Sequence, residues 1–179
     1  ERLIDDLLEL ARHGDVIGDT ETIDLEATAR DAWQQLQTPD ATLVCECSGT
    51  LRADRDRLRQ AFENLFGNAV EHGSTVSDSQ ARQNTAEQTS AGSQTQSDNA
   101  VEVTLTRTPD GFAIADDGPG IPPDQRGTVF DRGYTTASDG TGFGLAIVEE
   151  IVDAHGWTVA VTDSETGGAR FEITGVEID

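Results

Sequence analysis

The chain has 179 residues, a formal net charge of −22, and 12 basic residues that are all arginine. This balance argues against a basic nucleic-acid-binding face and against direct contact with an anionic membrane surface. No run approaches the roughly 18 apolar residues of a membrane span, and no secretory signal precedes the first predicted element. A hydrophobic share of 35% supports one core, so we expect a cytoplasmic domain that is a piece of a longer protein.

The acidic excess is open to two interpretations. High net charge with low hydrophobicity favours disorder, but the apolar residues are periodic, which favours a folded protein adapted to high intracellular salt. Electrostatic screening shortens to about 3 Å at 1 M salt, which mutes repulsion between acidic side chains. We therefore predict a salt-accumulating halophile as the source and unfolding of the chain in dilute buffer.

The first predicted element is a helix at residues 1–12, where Leu and Ile side chains form a broad apolar stripe. A short helix with that much apolar surface needs a partner. It is either the tail of a coiled coil or bundle that begins upstream, or a helix docked on its own domain. Gly14 and Gly18 break it.

A second helix is predicted at residues 24–37, with Asp24 as its N-cap. Strands at "ATLVCEC" and "LRA" follow it. A longer helix then covers residues 54–73, and Gly73 predicts its end.

Two cysteines, Cys45 and Cys47, lie in the first of these strands. A C-x-C pair with no second pair and no nearby His is a weak metal signal. We predict buried free thiols.

Residues 74–100 are rich in Ser, Thr, Gln and Asn, which predicts a disordered insertion. The strands "VEVTLTRT" and "GFAIADD" then predict a hairpin, the segment "FGLAIVEEIVDAHG" a helix, and "WTVAVTD" with "ARFEITGVE" a second hairpin. This order predicts an α/β fold: a two-layer sandwich with a mixed, mainly antiparallel sheet, helices on one face and a short N-terminal helix.

Two glycine-rich segments, "DDGPGIP" at 116–122 and "GTGFGL" at 140–145, carry candidate chemistry. The second runs into a helix, whose positive end and free N–H groups favour an anion such as phosphate, although a plain flexible turn is as good an explanation. In the first, Asp116 beside a glycine turn can accept a hydrogen bond from an exocyclic amine. It can equally cap backbone N–H groups of a β-turn.

A third candidate is the helical segment "NLFGNAVEH", in which Asn64 and Asn68 are four residues apart and share one face. Two amides there could ligate a hard cation through their carbonyl oxygens. Either residue taken singly is equally consistent with a solvent-facing Asn.

The ordered set "NLFGNAVEH", "DDGPGIP", "VFDRGYTT" and "GTGFGLAIVEEIVDAHG" resembles the N, G1, F and G2 boxes of the ATP-binding catalytic domain of sensor histidine kinases. That domain belongs to a superfamily shared with gyrase, the large heat-shock chaperone and mismatch-repair ATPases. The resemblance covers residues 21–179, with 74–100 outside it, and implies a Bergerat-type fold that binds Mg-ATP. It also implies that residues 1–20 are the C-terminal end of a dimerisation helix and its linker.

Residue roles follow from this resemblance alone. Asn68 resembles the Mg²⁺ ligand and Asn64 the polar residue that lines the phosphate end, so both are candidate catalytic residues. Asp116 resembles the aspartate that bonds the adenine amino group. The remaining cofactor-binding candidates are contributed by the G1 turn, the F box, the lid and the G2 loop: Gly118, Gly120, Ile121, Phe130, Tyr134, Thr135, Thr136, Gly140, Thr141, Gly142, Gly144 and Leu145.

The chain departs from the family pattern in three respects, of which one is a short lid from Asp131 to Asp139. Many such kinases have Lys three residues after the Mg²⁺ Asn, where this chain has Glu71, so Arg132 is our candidate for the phosphate-facing cation. None of His13, His72 and His155 sits in the context of a phospho-accepting histidine; for the last two, a helix-end charge role or plain solvation is expected. We therefore expect ATP binding without self-phosphorylation. The expected partners are the histidine-bearing helices of the parent protein, a response regulator receiver domain and, in the full-length protein, a second copy.

Three alternatives stay open. An ATP hydrolase of the same superfamily would place a Glu base four residues before the Mg²⁺ Asn, whereas that position is Asn64 and Glu63 lies about 100° round the helix. A protein-serine kinase shares the same boxes. A nucleotide-binding pseudoenzyme gains some weight from Glu71.

Overall fold

A computed structural model describes residues 17–81, 100–134 and 142–179 of the protein. For residues 74–81 it describes the backbone alone. Seven strands and three helices lie in these ranges. In chain order they are β1 (Glu21–Asp24), α1 (Leu25–Gln35), β2 (Ala41–Glu46), β3 (Thr50–Ala53), α2 (Arg55–Ala81), β4 (Val101–Thr108), β5 (Gly111–Asp116), α3 (Gly144–Ala154), β6 (Thr158–Asp163) and β7 (Ala169–Thr174).

Five strands form the main sheet, in the order β2-β4-β5-β7-β6. β2 runs parallel to β4, from Ala41 opposite Val101 to Glu46 opposite Thr106, and every other pair is antiparallel. Strands β1 and β3 form a separate antiparallel pair. The predicted sandwich with a mixed, mainly antiparallel sheet is confirmed.

The helices cover one face of the main sheet, because the large apolar side chains of β4, β5 and β7 fall on alternate positions and so share that face. In β4 the buried residues Val101, Val103 and Leu105 alternate with Glu102 and Thr104. Phe62 of α2 packs against Phe112 of β5, with ring centroids 5.7 Å apart. Glu102 and Thr104 of β4 lie on the other face of the sheet, where β5 contributes Ala113 and Ala115.

Aromatic contacts join the helical layer. Phe62 stacks on Phe66 in α2 at 5.5 Å, and Phe66 meets the edge of Trp33 of α1 at 5.4 Å. These contacts explain why α1 forms here despite its short length: its apolar stripe is buried on α2. The predicted N-cap is also confirmed, since Asp24 Oδ1 accepts the Ala27 N–H at 2.8 Å.

Two features differ from the sequence-based expectation. Strand β1 was not expected; it forms because Ile23, which is 1% exposed, lies opposite Leu51 and enters the core. The long helix was expected to end at Gly73, but α2 continues to Ala81. Gly73 serves packing instead, because a Cβ on it would lie under 3.0 Å from the side chain of Val101. The predicted helix at 1–12 lies outside the described residues, as does the 82–99 part of the predicted insertion.

Cys45 is half-buried and Cys47 is buried, and both are free thiols, as predicted. Burial raises the pKa of Cys47 to about 11. The thiolate that a metal would need is therefore scarce at neutral pH. The described ranges contain no group of three or more His, Cys, Asp or Glu side chains that could hold a metal ion. None of the helices there combines the length and apolarity needed to cross a membrane.

Candidate functional site

Asp116 ends β5 with a carboxylate held by the backbone. The residue is 8% exposed, and its Oδ1 accepts the Gly118 N–H at 2.9 Å and the Ala169 N–H at 3.1 Å. Burial raises the pKa of Asp116, and the hydrogen bonds from Gly118 and Ala169 oppose that shift. Within the described residues, every hydrogen bond to this carboxylate falls on Oδ1.

Glycines bring three segments together around Asp116. A Cβ on Gly118 would lie 3.0 Å from Asp116 Oδ1 and 3.5 Å from Gly73 Cα, so the loop after β5 lies against α2. A Cβ on Gly168 would lie under 3.0 Å from both the carbonyl oxygen and the Oδ1 of Asp116. The turn before β7 can therefore reach Asp116 only with glycine at 168.

Gly168 and Ala169 were missed by the sequence analysis, which treated "SETGG" only as a hairpin turn. The available signal was the Gly-Gly pair directly before a buried strand. Such a pair often marks a close approach of two backbones. What no single-sequence pattern could reveal was that the approached backbone is that of Asp116.

The G1 turn rests on the β6–β7 turn. Gly120 has φ of +74°, and a Cβ there would lie 2.9 Å from the Gly167 carbonyl oxygen. Ile121 is half-buried against the core. Its carbonyl accepts the Arg126 Nε–H at 3.0 Å, and Arg126 also pairs with Asp163 at the end of β6 at 2.5 Å. The loop after Asp116 is thus fixed to the sheet at both ends.

Asn64 and Asn68 lie one turn apart on α2, as predicted. The Nδ2 of Asn64 donates to the Gln60 carbonyl at 3.0 Å. Its Oδ1 points towards the start of α3, since a Cβ on Gly144 would lie 3.2 Å from it. Asn68 is half-buried. An amide oxygen of α2 and the N-terminus of α3 are therefore brought together.

The N-cap residue of α3 does not cap the helix. Phe143 occupies that position and makes no capping hydrogen bond, so among the described residues the N–H groups of the first turn receive no N-cap side chain. Gly142 precedes it with φ of +72° and accepts the Gly133 N–H at 2.9 Å. Leu145 packs on the core. An uncapped helix N-terminus beside an amide oxygen suits the binding of an anion together with a cation.

The F-box and lid candidates that the structure describes, Phe130, Arg132 and Tyr134, each contact a neighbouring segment. Phe130 meets Phe171 of β7 edge to face, with ring centroids 6.4 Å apart. The Tyr134 hydroxyl donates to Gln125 Oε1 at 2.6 Å, and Arg132 pairs with Glu150 of α3. The remaining candidates, Thr135, Thr136, Gly140 and Thr141, lie outside the described residues.

His155 has a structural role that the sequence analysis did not foresee. Its Nδ1 lies 2.7 Å from the Ile151 carbonyl, and its Nε2 accepts the Asp54 N–H at 3.1 Å. The ring also stacks on Trp157 with centroids 4.4 Å apart. Because a carbonyl can only accept and a backbone N–H can only donate, Nδ1 is the donor of this pair of contacts and Nε2 the acceptor. The ring joins the end of α3 to the start of α2, so the two helices run antiparallel.

Residues 53–176 match the family described as histidine kinase-, DNA gyrase B- and HSP90-like ATPases. The sensor histidine kinase ZraS of Salmonella typhimurium is 33% identical over 181 residues, an alignment that covers 96% of this chain and 34% of that protein. The virulence sensor histidine kinase PhoQ of Salmonella typhimurium is 43% identical over 77 residues, covering 41% of this chain and 16% of that protein. The chain thus spans about a third of the length of the first of these relatives.

Solved structures of histidine kinases share the fold. Full-length ShkA in complex with AMPPNP superposes with a TM-score of 0.69 at 29% identity, covering 99% of this chain and 36% of that one. The mycobacterial sensor histidine kinase MprB gives 0.62 at 24% identity, covering 89% of this chain and 97% of that one. Because the family model matches more than half of its length, the chain belongs to the histidine kinase-, DNA gyrase B- and HSP90-like ATPases.

Proposed function

We propose that this chain is the ATP-binding catalytic domain of a two-component sensor histidine kinase. In this proposal it binds Mg-ATP and presents the γ-phosphoryl group to a histidine on a helix outside the chain. One observation carries the proposal: a buried carboxylate, Asp116, whose Oδ1 is held by two backbone N–H groups. Such a carboxylate can offer Oδ2 to the amino group of adenine.

The opposite end of the site fits the phosphates and a magnesium ion. Amide oxygens are suitable Mg²⁺ ligands, and Asn68 is the proposed one, with Asn64 beside the N-terminus of α3. The uncapped N–H groups of α3 favour phosphate oxygens. Arg132 is the proposed cation, and to act it has to leave Glu150.

These residues supply the contributions that phosphoryl transfer asks of a protein. Bound magnesium offsets phosphate charge, and the reaction otherwise depends on positioning and electrostatic stabilisation. The sequence spacing disfavours the hydrolase alternative, because the position four residues before Asn68 is Asn64 rather than a glutamate. Glu63 is the next residue along and lies about 100° round the helix from that position.

The nucleotide proposal is tested by calorimetric titration of Mg-ATP and Mg-GTP in molar KCl. The protein should prefer ATP, and Asp116→Ala should abolish that preference while the fold persists. Asp124→Ala is the matched control, since Asp124 is exposed on the loop beyond the G1 turn. Equal ATP affinity of the wild type and Asp116→Ala would refute the role of Asp116.

The magnesium proposal is tested by comparing ATP binding with Mg²⁺ and with EDTA. Asn68→Ala should weaken binding of Mg-ATP far more than binding of metal-free ATP. Gln34→Ala, which removes an exposed amide on α1, should change neither. Equal losses in both conditions for Asn68→Ala would count against ligation.

Phosphoryl transfer, partners and location are inferred from the relatives named as sensor histidine kinases. We place the domain in the cytoplasm, in a parent protein that dimerises through its histidine-bearing helices and passes the phosphoryl group to a response regulator receiver domain. The test is transfer from labelled ATP to those helices, joined upstream of this chain. ATP binding without transfer would favour the pseudoenzyme instead.

We also propose that the domain is stable only at high salt, as its formal net charge of −22 suggests. Melting temperature should fall steeply from molar KCl to dilute buffer. A melting temperature independent of salt would contradict a halophilic origin.

A further inference from the structure

Pairing between β5 and β7 stops one residue before Asp116. The last paired residues are Ala115 and Arg170, and Asp116 pairs only with Val103 on its other side. Its carbonyl oxygen points towards Gly168, where a Cβ would lie under 3.0 Å from it. The N–H of Ala169, next in line on β7, goes to the side chain of Asp116 instead. The Asp116 carbonyl oxygen therefore needs a hydrogen-bond donor from outside the β5–β7 ladder.

The β6–β7 turn supplies that partner through two hydroxyl groups. Thr166 Oγ1 donates to the Asp116 carbonyl at 3.2 Å. Ser164 Oγ lies 2.8 Å from Thr166 Oγ1 and accepts the Thr166 N–H at 3.3 Å. Because the Thr166 proton is used on the carbonyl, the Ser164 hydroxyl has to be the donor to Thr166. The direction of the chain is thus Ser164 to Thr166 to Asp116.

The turn itself is well placed to hold these hydroxyls. Ser164 is 9% exposed, and its backbone N–H donates to the Gly168 carbonyl at 2.8 Å while its carbonyl accepts the Gly167 N–H at 3.0 Å. Thr166 is exposed apart from its hydroxyl contact. Substitution of Thr166 therefore removes a hydrogen bond without opening a cavity in the core.

We propose that Thr166 is a positioning residue for adenine recognition: its hydroxyl, oriented by Ser164, fixes the backbone of Asp116 and so the direction of the carboxylate that meets the adenine amino group. This inference rests on the proposed function and adds to it a determinant of base selectivity on a turn outside the four boxes. Side chains that orient a ligand-binding group act by narrowing its range of positions.

The experiment compares ATP with purine riboside triphosphate, which lacks the 6-amino group, by calorimetry in molar KCl. The ratio of the two dissociation constants isolates recognition of that amine. Thr166→Val should reduce the preference for ATP at least about threefold, and Thr166→Ser, which keeps the hydroxyl, should preserve it. Thr158→Val, on an exposed position of β6, is the matched control and should leave the ratio unchanged.

A merely structural role would weaken both ligands equally and leave the ratio at its wild-type value, which would overturn the inference. If Thr166→Val does not fold, the same ratio of dissociation constants is measured for Ser164→Ala. A reduced preference for ATP would support the inference, and an unchanged preference would contradict it. Wild-type protein that does not discriminate the two ligands would instead overturn the role of Asp116, and with it the proposed function on which the inference depends.

Discussion

The two ends of the proposed nucleotide site are built in different ways. At the proposed base end, Asp116 is fixed by backbone N–H groups of Gly118 and Ala169 and lies against Gly118 and Gly168. At the proposed phosphate end, Asn64 and Asn68 project from a helix, Phe143 gives the first turn of α3 no side-chain cap, and Arg132 is paired on the surface with Glu150. Backbone groups fix the proposed base end, whereas the proposed phosphate end is made largely of side chains.

This difference indicates where binding energy and selectivity originate. A group fixed by the backbone before the ligand arrives loses little freedom on binding, so it discriminates sharply. The long, exposed side chain of Arg132 must instead be ordered by the ligand. Selectivity for the base should therefore depend on buried backbone geometry, and phosphate affinity on exposed electrostatics.

The largest expected effect comes from adding a side chain at Gly168, where two backbone segments are in close contact. Gly168→Ala places a methyl group under 3.0 Å from the carbonyl oxygen and Oδ1 of Asp116, and overpacking of this kind costs about 3 kcal/mol. The variant should lose that much unfolding free energy by denaturant titration, together with ATP binding. Gly127→Ala is the control, because nothing lies within 4 Å of a Cβ there. Similar stabilities for both variants would mean that the turn adapts freely.

Asp116→Asn separates the charge of the base end from its geometry. The Asn oxygen can still accept both backbone N–H groups, but an amide nitrogen then faces the adenine amine, so ATP affinity should fall about tenfold or more.

The same variant should change how stability depends on pH. Burial raises the pKa of Asp116 in the folded protein above its usual value of about 3.9. As pH rises above that value, ionisation of Asp116 therefore lowers the free energy of unfolding of the wild type. The variant should therefore match the wild type below about pH 4 and exceed it in unfolding free energy at neutral pH. Denaturant titrations at both pH values check this, and lower stability of the variant at neutral pH would contradict it.

His155→Phe examines a contact remote from both ends. The phenyl ring can still stack on Trp157, but the Asp54 N–H loses its acceptor. The Ile151 carbonyl loses the imidazole and keeps only the backbone N–H of residue 155. The unfolding free energy should drop by about 1–2 kcal/mol, with ATP affinity unchanged in calorimetry at a temperature where the variant is folded. A parallel loss of ATP affinity would show that the start of α2 is coupled to the site.

The smallest effect on stability is expected at the phosphate end. Arg132 is 64% exposed in its ion pair with Glu150, so Arg132→Ala should change the unfolding free energy by about 0.5 kcal/mol or less. Affinity for ATP should fall while affinity for AMP, which lacks the outer phosphates, stays the same. Glu150→Ala, the paired control, should preserve ATP affinity or raise it, and equal losses for ATP and AMP in Arg132→Ala would contradict a phosphate-facing role.

The sequence predicted the main sheet and its helices because apolar periodicity dominates those segments, as in β4 and α3. It also predicted the shared face of Asn64 and Asn68, which follows from helical spacing alone. It did not predict β1, whose four residues carry one apolar side chain, or the path of α2 beyond Gly73. The support of Asp116 by Gly168 and Thr166 was also out of reach, because those residues meet it only through the fold, about 50 positions apart in the chain.

The contact between Gly73 and Val101 has a consequence for folding kinetics. The parallel pairing of β2 with β4 joins Ala41 to Val101, so the chain must close a long loop before this ladder can form. Most of that loop is α2 and the segment after it, yet Gly73 already touches Val101. Replacing residues 82–99, the segment after α2, with a short flexible link would lower the contact order of the sheet, and the domain should fold faster while its equilibrium stability changes little.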